Sequence, residues 1–372
     1  MKDQHLKEKN NKKLSIVIPC FNEENTIEKC VTRVLKIADD YLSLEIIIID
    51  DNSTDNSFKV MSRLATKYQE ISVHQHSVNQ GKGAALRTGF AYATGDYVAV
   101  QDADLEYDPQ DLKRLIIPLQ NGYADVVFGS RFATQSAHRV LYFWHSLGNK
   151  FLTLLSNIFT DLNLTDMETC YKVFKRNVIQ NIEIIENRFG FEPEIVAKIA
   201  QRKLRIYEMG ISYHGRTYNE GKKIGYKDGL RALYCIFHYN AHKAPVPIQL
   251  IIYLFIGAIV ACANYILFMS LYNIGLSINI TIPVSFIIAA IINYFLCISI
   301  LFKHKARWTT TTELFIYIFF AAFIGSLDFT VTKYFFELGN PASESKITAI
   351  VFLFFMNFIG GRFIVFPTSN KK

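Results

Sequence analysis

Residues 97–106, Y-V-A-V-Q-D-A-D-L-E, set a short apolar run directly against three acids, Asp102, Asp104 and Glu106. The run predicts a strand over 97–101 that is buried on both faces. The same order, apolar run then polar cluster, recurs upstream. Residues 14–19 (LSIVIP) run into 19–24 (PCFNEE), 44–49 (LEIIII) into 50–55 (DDNSTD), and 71–75 are followed by 79–83 (NQGKG). Helical periodicity separates these runs over 25–39, 55–68, 83–93 and 111–121, and 125–128 reads as a further strand. Strands alternating with helices predict an α/β fold with a mostly parallel sheet covered on both faces. The polar clusters fall at the carboxyl ends of the strands, where ligands bind in open α/β sheets.

Asp102 and Asp104 are two residues apart. On a strand-like backbone their carboxylates fall on one side, where they repel each other unless a cation sits between them. Mg²⁺ or Mn²⁺ bridging to a diphosphate suits that arrangement, and Glu106 could add a third oxygen. A solvated turn is the plain alternative. The other strand ends add context. Phe21 offers an aromatic face, Asn22 and Glu23 offer acceptors, and 50–55 offers a carboxylate for a base or ribose, with Ser53 or Asp55 also placed to cap a helix. The glycines of 79–83 allow backbone to approach a ligand closely, or simply form a turn. Neither a Walker lysine motif nor G-x-G-x-x-G is present, which disfavours ATP hydrolysis and dinucleotide chemistry.

The 372 residues suit two domains. Half of them are hydrophobic, and from about Ile248 long apolar stretches dominate. Four membrane spans are predicted, at 248–271, 278–302, 313–336 and 347–366, each long enough to cross a hydrocarbon core. The formal charge of +7 then points to an anionic membrane surface rather than nucleic acid. Lys303, His304, Lys305 and Arg307 follow the second span, and Lys371 and Lys372 end the chain, which predicts both termini and the first domain in the cytoplasm. The basic head has no apolar region behind it long enough for a signal peptide. Six cysteines lack C-x-x-C spacing, so buried free thiols are expected. Residues 293–302 (NYFLCISILF) and 357–366 (NFIGGRFIVF) share Asn, an aromatic and a terminal Phe, the mark of a duplicated helix pair. Asp328 within the third span is costly in lipid, and suits either a polar function or helix packing. Over 140–159 apolar residues stand at helical spacing, fitting either packing on the sheet or a helix at the membrane interface.

Together these stretches resemble glycosyltransferase family 2 with the GT-A fold, most closely the dolichyl- or polyprenyl-phosphate sugar synthases. The likeness rests on IVIPCFNE, DDNSTD, NQGKGAALRTG, QDADLE, GSRF (129–132), TDMETCYKVF (165–174), FGFEPE (189–194) and YHGRTYNEGKKI (213–224). The C-terminal part resembles the four-span GtrA-like family, proposed to help move lipid-linked sugars, on the two N-to-F segments. The implied division is a tail at 1–13, a Rossmann-like GT-A catalytic domain at 14–233, a juxtamembrane linker at 234–247 and an all-α membrane domain at 248–368.

The resemblance implies nucleotide-sugar contacts at Pro19, Phe21, Glu23, Ile49, Asp51, Asp102, Ala103 and Asp104. It implies Mg²⁺ or Mn²⁺ at Asp102, Asp104 and Glu106, although relatives that make mannosyl phosphates often have Gln where Glu106 stands. Asp104, Arg131, Arg216 and Lys222 are the implied catalytic residues, with Arg131 and the weaker Arg139 at the acceptor phosphate. Asp166 and Glu168 stand near the general base of relatives that glycosylate a hydroxyl, but could orient the sugar or cap a helix beginning at Thr169. A phosphate acceptor is already anionic and needs no base. Arg307-Trp308 is not the Q-x-x-R-W of processive members, since His304 replaces Gln, and Trp308 reads as an interface anchor. The implied reaction is a single in-line, inverting transfer of a hexose from GDP-mannose or UDP-glucose to dolichyl or undecaprenyl phosphate. The enzyme would be a multi-pass membrane protein, with a homo-oligomer compatible. A hydroxyl-acceptor transferase and a lipid-linked sugar transport protein remain as alternatives.

Overall fold

The computed structural model describes residues 12–133, 139–140, 142–215, 225–302 and 310–365. It divides into two compact units, Met1–Asn240 and Ala241–Lys372.

The first unit is built on strands β1 (Lys12–Cys20), β2 (Leu42–Asp50), β3 (Ile71–Gln75) and β4 (Tyr97–Val100), with helices α1 (Ile27–Leu35), α2 (Ser57–Lys67) and α3 (Lys82–Tyr92) between them. Short helices α4 (Gln110–Leu115) and α5 (Ile117–Gln120) lead to β5 (Val126–Ser130). The periodic stretch 111–121 is thus two helices, Ile116 joining them and Pro118 lying in the first turn of the second, where its missing N–H costs no hydrogen bond. Next come α6 (Phe143–Thr160), β6 (Lys172–Lys175), α7 (Arg176–Gln180), α8 (Phe191–Gln201), β7 (Ile206–Gly210) and α9 (Tyr226–Asn240).

The seven strands form one sheet in the order β3-β2-β1-β4-β6-β5-β7. β1 to β4 pair in parallel, whereas β6 is antiparallel to both β4 and β5. Ile16, Val17 and Ile18 in β1 and Ile46 to Ile49 in β2 are essentially sealed from solvent, which is why these strands are continuous apolar runs rather than alternating ones. The expectation of a helix from Thr169 is corrected: Lys172–Lys175 is the antiparallel strand β6, and the next helix, α7, begins only at Arg176.

In the second unit, α10 (Val246–Asn273), α11 (Ile278–Leu296), α12 (Thr310–Glu337) and α13 (Ala342–Gly360) are the four long apolar helices, each long enough to cross a membrane. α11 and α13 continue as π-helical turns at Cys297–Phe302 and Gly361–Val365. The duplication runs through the whole unit. From Val246 to Thr310 is a step of 64 positions, and the same step relates the ends of α10 and α12, both ends of α11 and α13, and the starts of the π turns. Gly275 and Gly339, related by that step, both take positive φ (92° and 90°) in the hairpin turns, a conformation glycine adopts without a Cβ clash. Adjacent helices pack in a closed ring, α10 on α11, α11 on α12, α12 on α13 and α13 on α10.

Candidate active site

Three strands of the first unit end in a backbone reversal. Asn22 (φ 53°) follows β1, Asn52 (φ 62°) follows β2 and Leu105 (φ 65°) lies beyond β4. Asn tolerates this region because its short polar side chain bonds locally. Asn22 Oδ1 accepts from Thr54 N at 2.8 Å, and its own N–H donates to Ser53 Oγ at 3.0 Å, stitching the loop after β1 to the loop after β2. Leu105 has no such compensation, and its turn carries strain of about 1–2 kcal/mol. That turn corrects the strand-based placement of the acids: β4 ends at Val100, so a bend, not pleat alternation, sets Asp102 and Asp104.

The Lys82 ammonium lies 2.9 Å from Asp102 Oδ1 and 3.4 Å from Glu192 Oε1. Burial opposes its charge, but Asp102 together with its other neighbours, Glu192 among them, outweighs that and raises its pKa. Asp104 Oδ1 accepts from Glu106 N at 3.1 Å. Glu106 Oε2 accepts from the Tyr213 hydroxyl at 2.8 Å, and its carbonyl accepts from His214 N. Among the described residues no group of three or more His, Cys, Asp or Glu side chains converges as a metal cage. Two neighbouring carboxylates nonetheless fit Mg²⁺ or Mn²⁺, because such ions are commonly held by one or two carboxylates with substrate phosphates and water completing the shell.

Asp51 is 3% exposed. Its carboxylate accepts from Gln80 N (2.9 Å) and Gly81 N (2.6 Å) and meets His76 Nδ1 at 2.8 Å, while His76 Nε2 meets Thr88 Oγ1 at 3.0 Å. Asp51 therefore pins the loop ahead of α3. The glycines of that loop make room for protein: a Cβ on Gly81 or Gly83 would lie 2.4 Å from Asn187 O or 2.2 Å from Glu186 O. Of the remaining implied contacts, Ile49 and Ala103 are buried, Pro19 and Glu23 half-buried, and Phe21 exposed at 37%. Glu23 Oε2 accepts from Thr26 Oγ1 at 2.7 Å ahead of α1.

Arg131 is buried and committed to Asp166. Its Nε and Nη2 donate to the two carboxylate oxygens at 2.7 Å each, and its backbone N donates at 3.0 Å. The guanidinium also lies 5.2 Å over the Tyr213 ring. Arg139 Nη1 donates to Gly215 O at 2.8 Å. Arg216 and Lys222 lie outside the described residues. Glu168 is pushed up to about 8, first by burial and then by the Glu192 carboxylate. Glu168 Oε1 and Glu192 Oε2 have no hydrogen-bond partner among the described residues. Lys172, wholly buried beside them, donates to Thr169 O, and burial lowers its pKa.

Several residues of this neighbourhood were given no role by the sequence, although Lys82, Gln101, Tyr171 and Glu192 lie inside stretches it singled out. His76, Glu192 and Lys82 come from separate elements. Glu208 on β7 accepts from Thr165 N and Asp166 N at 2.9 and 3.1 Å, and Gln101 Oε1 accepts from the Tyr171 hydroxyl at 2.6 Å.

The outward side of α6 is apolar. Trp144 (79% exposed), Phe143, Leu147, Phe151, Leu154 and Ile158 point away from the core, while Thr153, Ser156 and Phe159 are buried. The helix does pack on the unit, but through the opposite side from its apolar stripe.

Residues 15–183 match the family described as Glycosyl transferase family 2, and residues 252–366 match the GtrA/DPMS transmembrane domain. With its four apolar helices, the chain is a membrane protein. It is similar to a low-salt glycan biosynthesis hexosyltransferase of Haloferax volcanii (28% identity, covering 59% of this chain and 51% of that one). It is also similar to a dolichol-phosphate mannosyltransferase of Pyrococcus furiosus (26%, covering 57% and 60%). A third relative is an undecaprenyl-phosphate 4-deoxy-4-formamido-L-arabinose transferase of Proteus mirabilis (26%, covering 68% and 74%). The match thus spans between half and three fifths of the first two relatives' length. A crystal structure of glucosyl-3-phosphoglycerate synthase from Mycobacterium tuberculosis with Mn²⁺, UDP and phosphoglyceric acid shares the fold at TM-score 0.50 and 19% identity, over 64% of this chain and 81% of that one.

Proposed function

The chain carries a family 2 glycosyl transferase domain joined to a GtrA/DPMS transmembrane domain, and on that premise we propose that it transfers a hexose from a nucleotide sugar to a polyprenyl phosphate at the cytoplasmic membrane face. The observation that carries this reading is the Arg131–Asp166 pair. Of the two acids standing near the place of a general base, Asp166 is sealed from solvent and engaged by three hydrogen bonds from Arg131, which leaves it badly placed to deprotonate a hydroxyl. An acceptor that arrives as an anion needs no such base.

In this mechanism Asp102 and Asp104 would hold a divalent ion, which when bound would supply positive charge to the diphosphate. Phe21 presents its ring to the base, and the loop pinned by Asp51 shapes the floor of the nucleotide site. Lys82 places a second positive charge beside Asp102. Arg131, held rigid by Asp166, lends field to the acceptor phosphate, joined by Arg216 and Lys222. The phosphate oxygen attacks the anomeric carbon opposite the leaving diphosphate and inverts it. The outward stripe of α6 suits contact with lipid, which would bring the catalytic unit to an acceptor whose tail lies in the bilayer. The basic residues at 303–307 and at the C-terminus favour both termini in the cytoplasm. GDP-mannose and UDP-glucose are the donors to test first, with a dolichyl or undecaprenyl carrier.

A hydroxyl acceptor is the second reading, favoured by the unpartnered oxygen of Glu168. Burial and the Glu192 carboxylate push this carboxyl upward, towards about 8, which favours its protonated form at neutral pH. The deciding experiment is radiolabel transfer from a panel of nucleotide sugars to undecaprenyl and dolichyl phosphate, with the matching alcohols alongside. Faster transfer to the alcohols would overturn the reading.

A further inference from the structure

The 64-position duplication in the membrane unit places its polar residues in register. Tyr253 and Tyr317, Asn264 and Asp328, and Asn293 and Asn357 are three such pairs, and all six side chains line one cavity inside the helix ring. Apolar pairs complete the wall, among them Val260 with Ile324 and Ala290 with Phe354. A cavity whose wall is built twice, once by each half, lies on the pseudo-twofold axis between the repeats, the position where repeat-built membrane folds place their sites. The lining helices rise 1.5 Å per residue, so Asn264, 19th of the 28 residues of α10, sits well inside the hydrocarbon region.

Along the cavity wall the halves differ in charge at the Asn264 and Asp328 position. Asp328 is paired with Lys346 at 2.5 Å, both essentially unexposed. The residues 64 positions earlier are Asn264 and Ile282. Asn264 is 6% exposed, lines the cavity, and its Oδ1 finds no hydrogen-bond partner among the described residues. A buried amide oxygen left unpaired is destabilising. Something that donates a hydrogen bond would remove that cost.

From this placement we infer that the axis cavity is a binding site for water, held between the Asn264 carbonyl and the Asp328 carboxylate. A neutral donor fits better than a metal cation, because Lys346 already balances Asp328 and an added charge in low dielectric would be uncompensated. Size agrees: the cavity offers about 70 Å³ of room, and one water needs about 10–15 Å³. The bundle is then hydrated along its axis at mid-membrane depth.

The test is hydroxyl-radical footprinting by X-ray radiolysis of the full chain in lipid nanodiscs, where radicals form from bound water. Adjacent phenylalanines supply matched controls. Phe320 and Phe354 line the cavity, whereas Phe319 and Phe355 face outward at equal depth. The expected result is modification of Phe320 and Phe354 several-fold above Phe319 and Phe355, falling to the outward level in Asn264→Leu. Equal, low modification of all four in the wild type would overturn the inference, as would unchanged labelling in a folded Asn264→Leu. If that variant does not fold, Ala289→Leu fills the same cavity with the side chain that Leu353 already carries in the other repeat. It must likewise abolish the excess labelling, or the inference fails.

Discussion

Arg131 and Asp166 face each other through two parallel hydrogen bonds of 2.7 Å, with side-chain exposures of 7% and 0%. This geometry turns a candidate base into a clamp. Asp166→Asn keeps the shape but leaves Arg131 poorly compensated, and breaking a buried pair costs about 3–5 kcal/mol. A lowered thermal midpoint is expected, with activity reduced at every pH and the shape of the pH–rate profile unchanged. Restoration of rate at high pH would indicate a lost base instead.

Asp104→Asn tests the metal. The carboxylate is half-buried and the exchange is nearly isosteric, so folding should persist while transfer falls to background even in saturating Mg²⁺ or Mn²⁺. Circular dichroism with single-turnover assays separates the two. Near-normal turnover would remove Asp104 from the metal site.

Glu168→Gln mimics the protonated carboxyl. With a phosphate acceptor the variant should keep most of its activity at neutral pH, whereas a catalytic base would lose about 10²–10⁴-fold. Stability supplies a second readout. The folded-state pKa of about 8 lies above the ordinary carboxylate value, so the contribution of this group is full below about pH 4.5 and is lost as pH rises towards about 8. The wild-type thermal midpoint should decline across that window, and the decline should be shallower in Glu168→Gln.

The repeat predicts a compensating pair in the membrane unit. Asp328→Asn and Lys346→Ile each leave a buried partner unpaired, at about 3–5 kcal/mol. The double variant reproduces the Asn264 and Ile282 already present in the first repeat, and should recover most of that loss. Thermal melts in detergent of the two single variants and the double give the coupling directly. A simply additive loss would mean that the two halves do not share the packing that their register implies.

Removing the α6 stripe should act on the acceptor rather than the chemistry. Each aromatic withdrawn from lipid forfeits about 1.5–3 kcal/mol, so Trp144→Ser with Phe151→Ser should raise KM for a long-chain polyprenyl phosphate about tenfold or more. KM for a short, water-soluble analogue and kcat should stay near wild type. An equal rise for both acceptors would assign the stripe to packing.

Much of this molecule is legible in its chain. β1, β2 and β4 are apolar runs because both their faces are covered, and such runs declare themselves without context; the edge strand β3 is only partly buried, yet the predicted 71–75 and the observed Ile71–Gln75 coincide. The membrane helices are legible for the same reason, since burial in lipid demands long uninterrupted apolarity. The N-to-F repeat, visible in ten residues, extends to all four long helices of the unit. β6 and β7 were not legible. Lys172–Lys175 begins and ends with lysine, and it becomes a strand because β4 and β5 offer it edges on both sides. The helix over 140–159 was legible, but not which side of it would face the core.

What the chain determined by itself is whatever depends on local pattern: which segments bury, where strands stop, and that acids gather after β4. Only the tertiary structure decided how those acids are used. Asp51 points to a loop 30 residues away, Arg131 to an acid 35 residues away, and Lys82 to Asp102 across the sheet ends. Hydrogen bonds and ion pairs act over about 3 Å of space, regardless of separation along the chain. A side chain's partner is therefore settled only when the sheet order brings distant loops together.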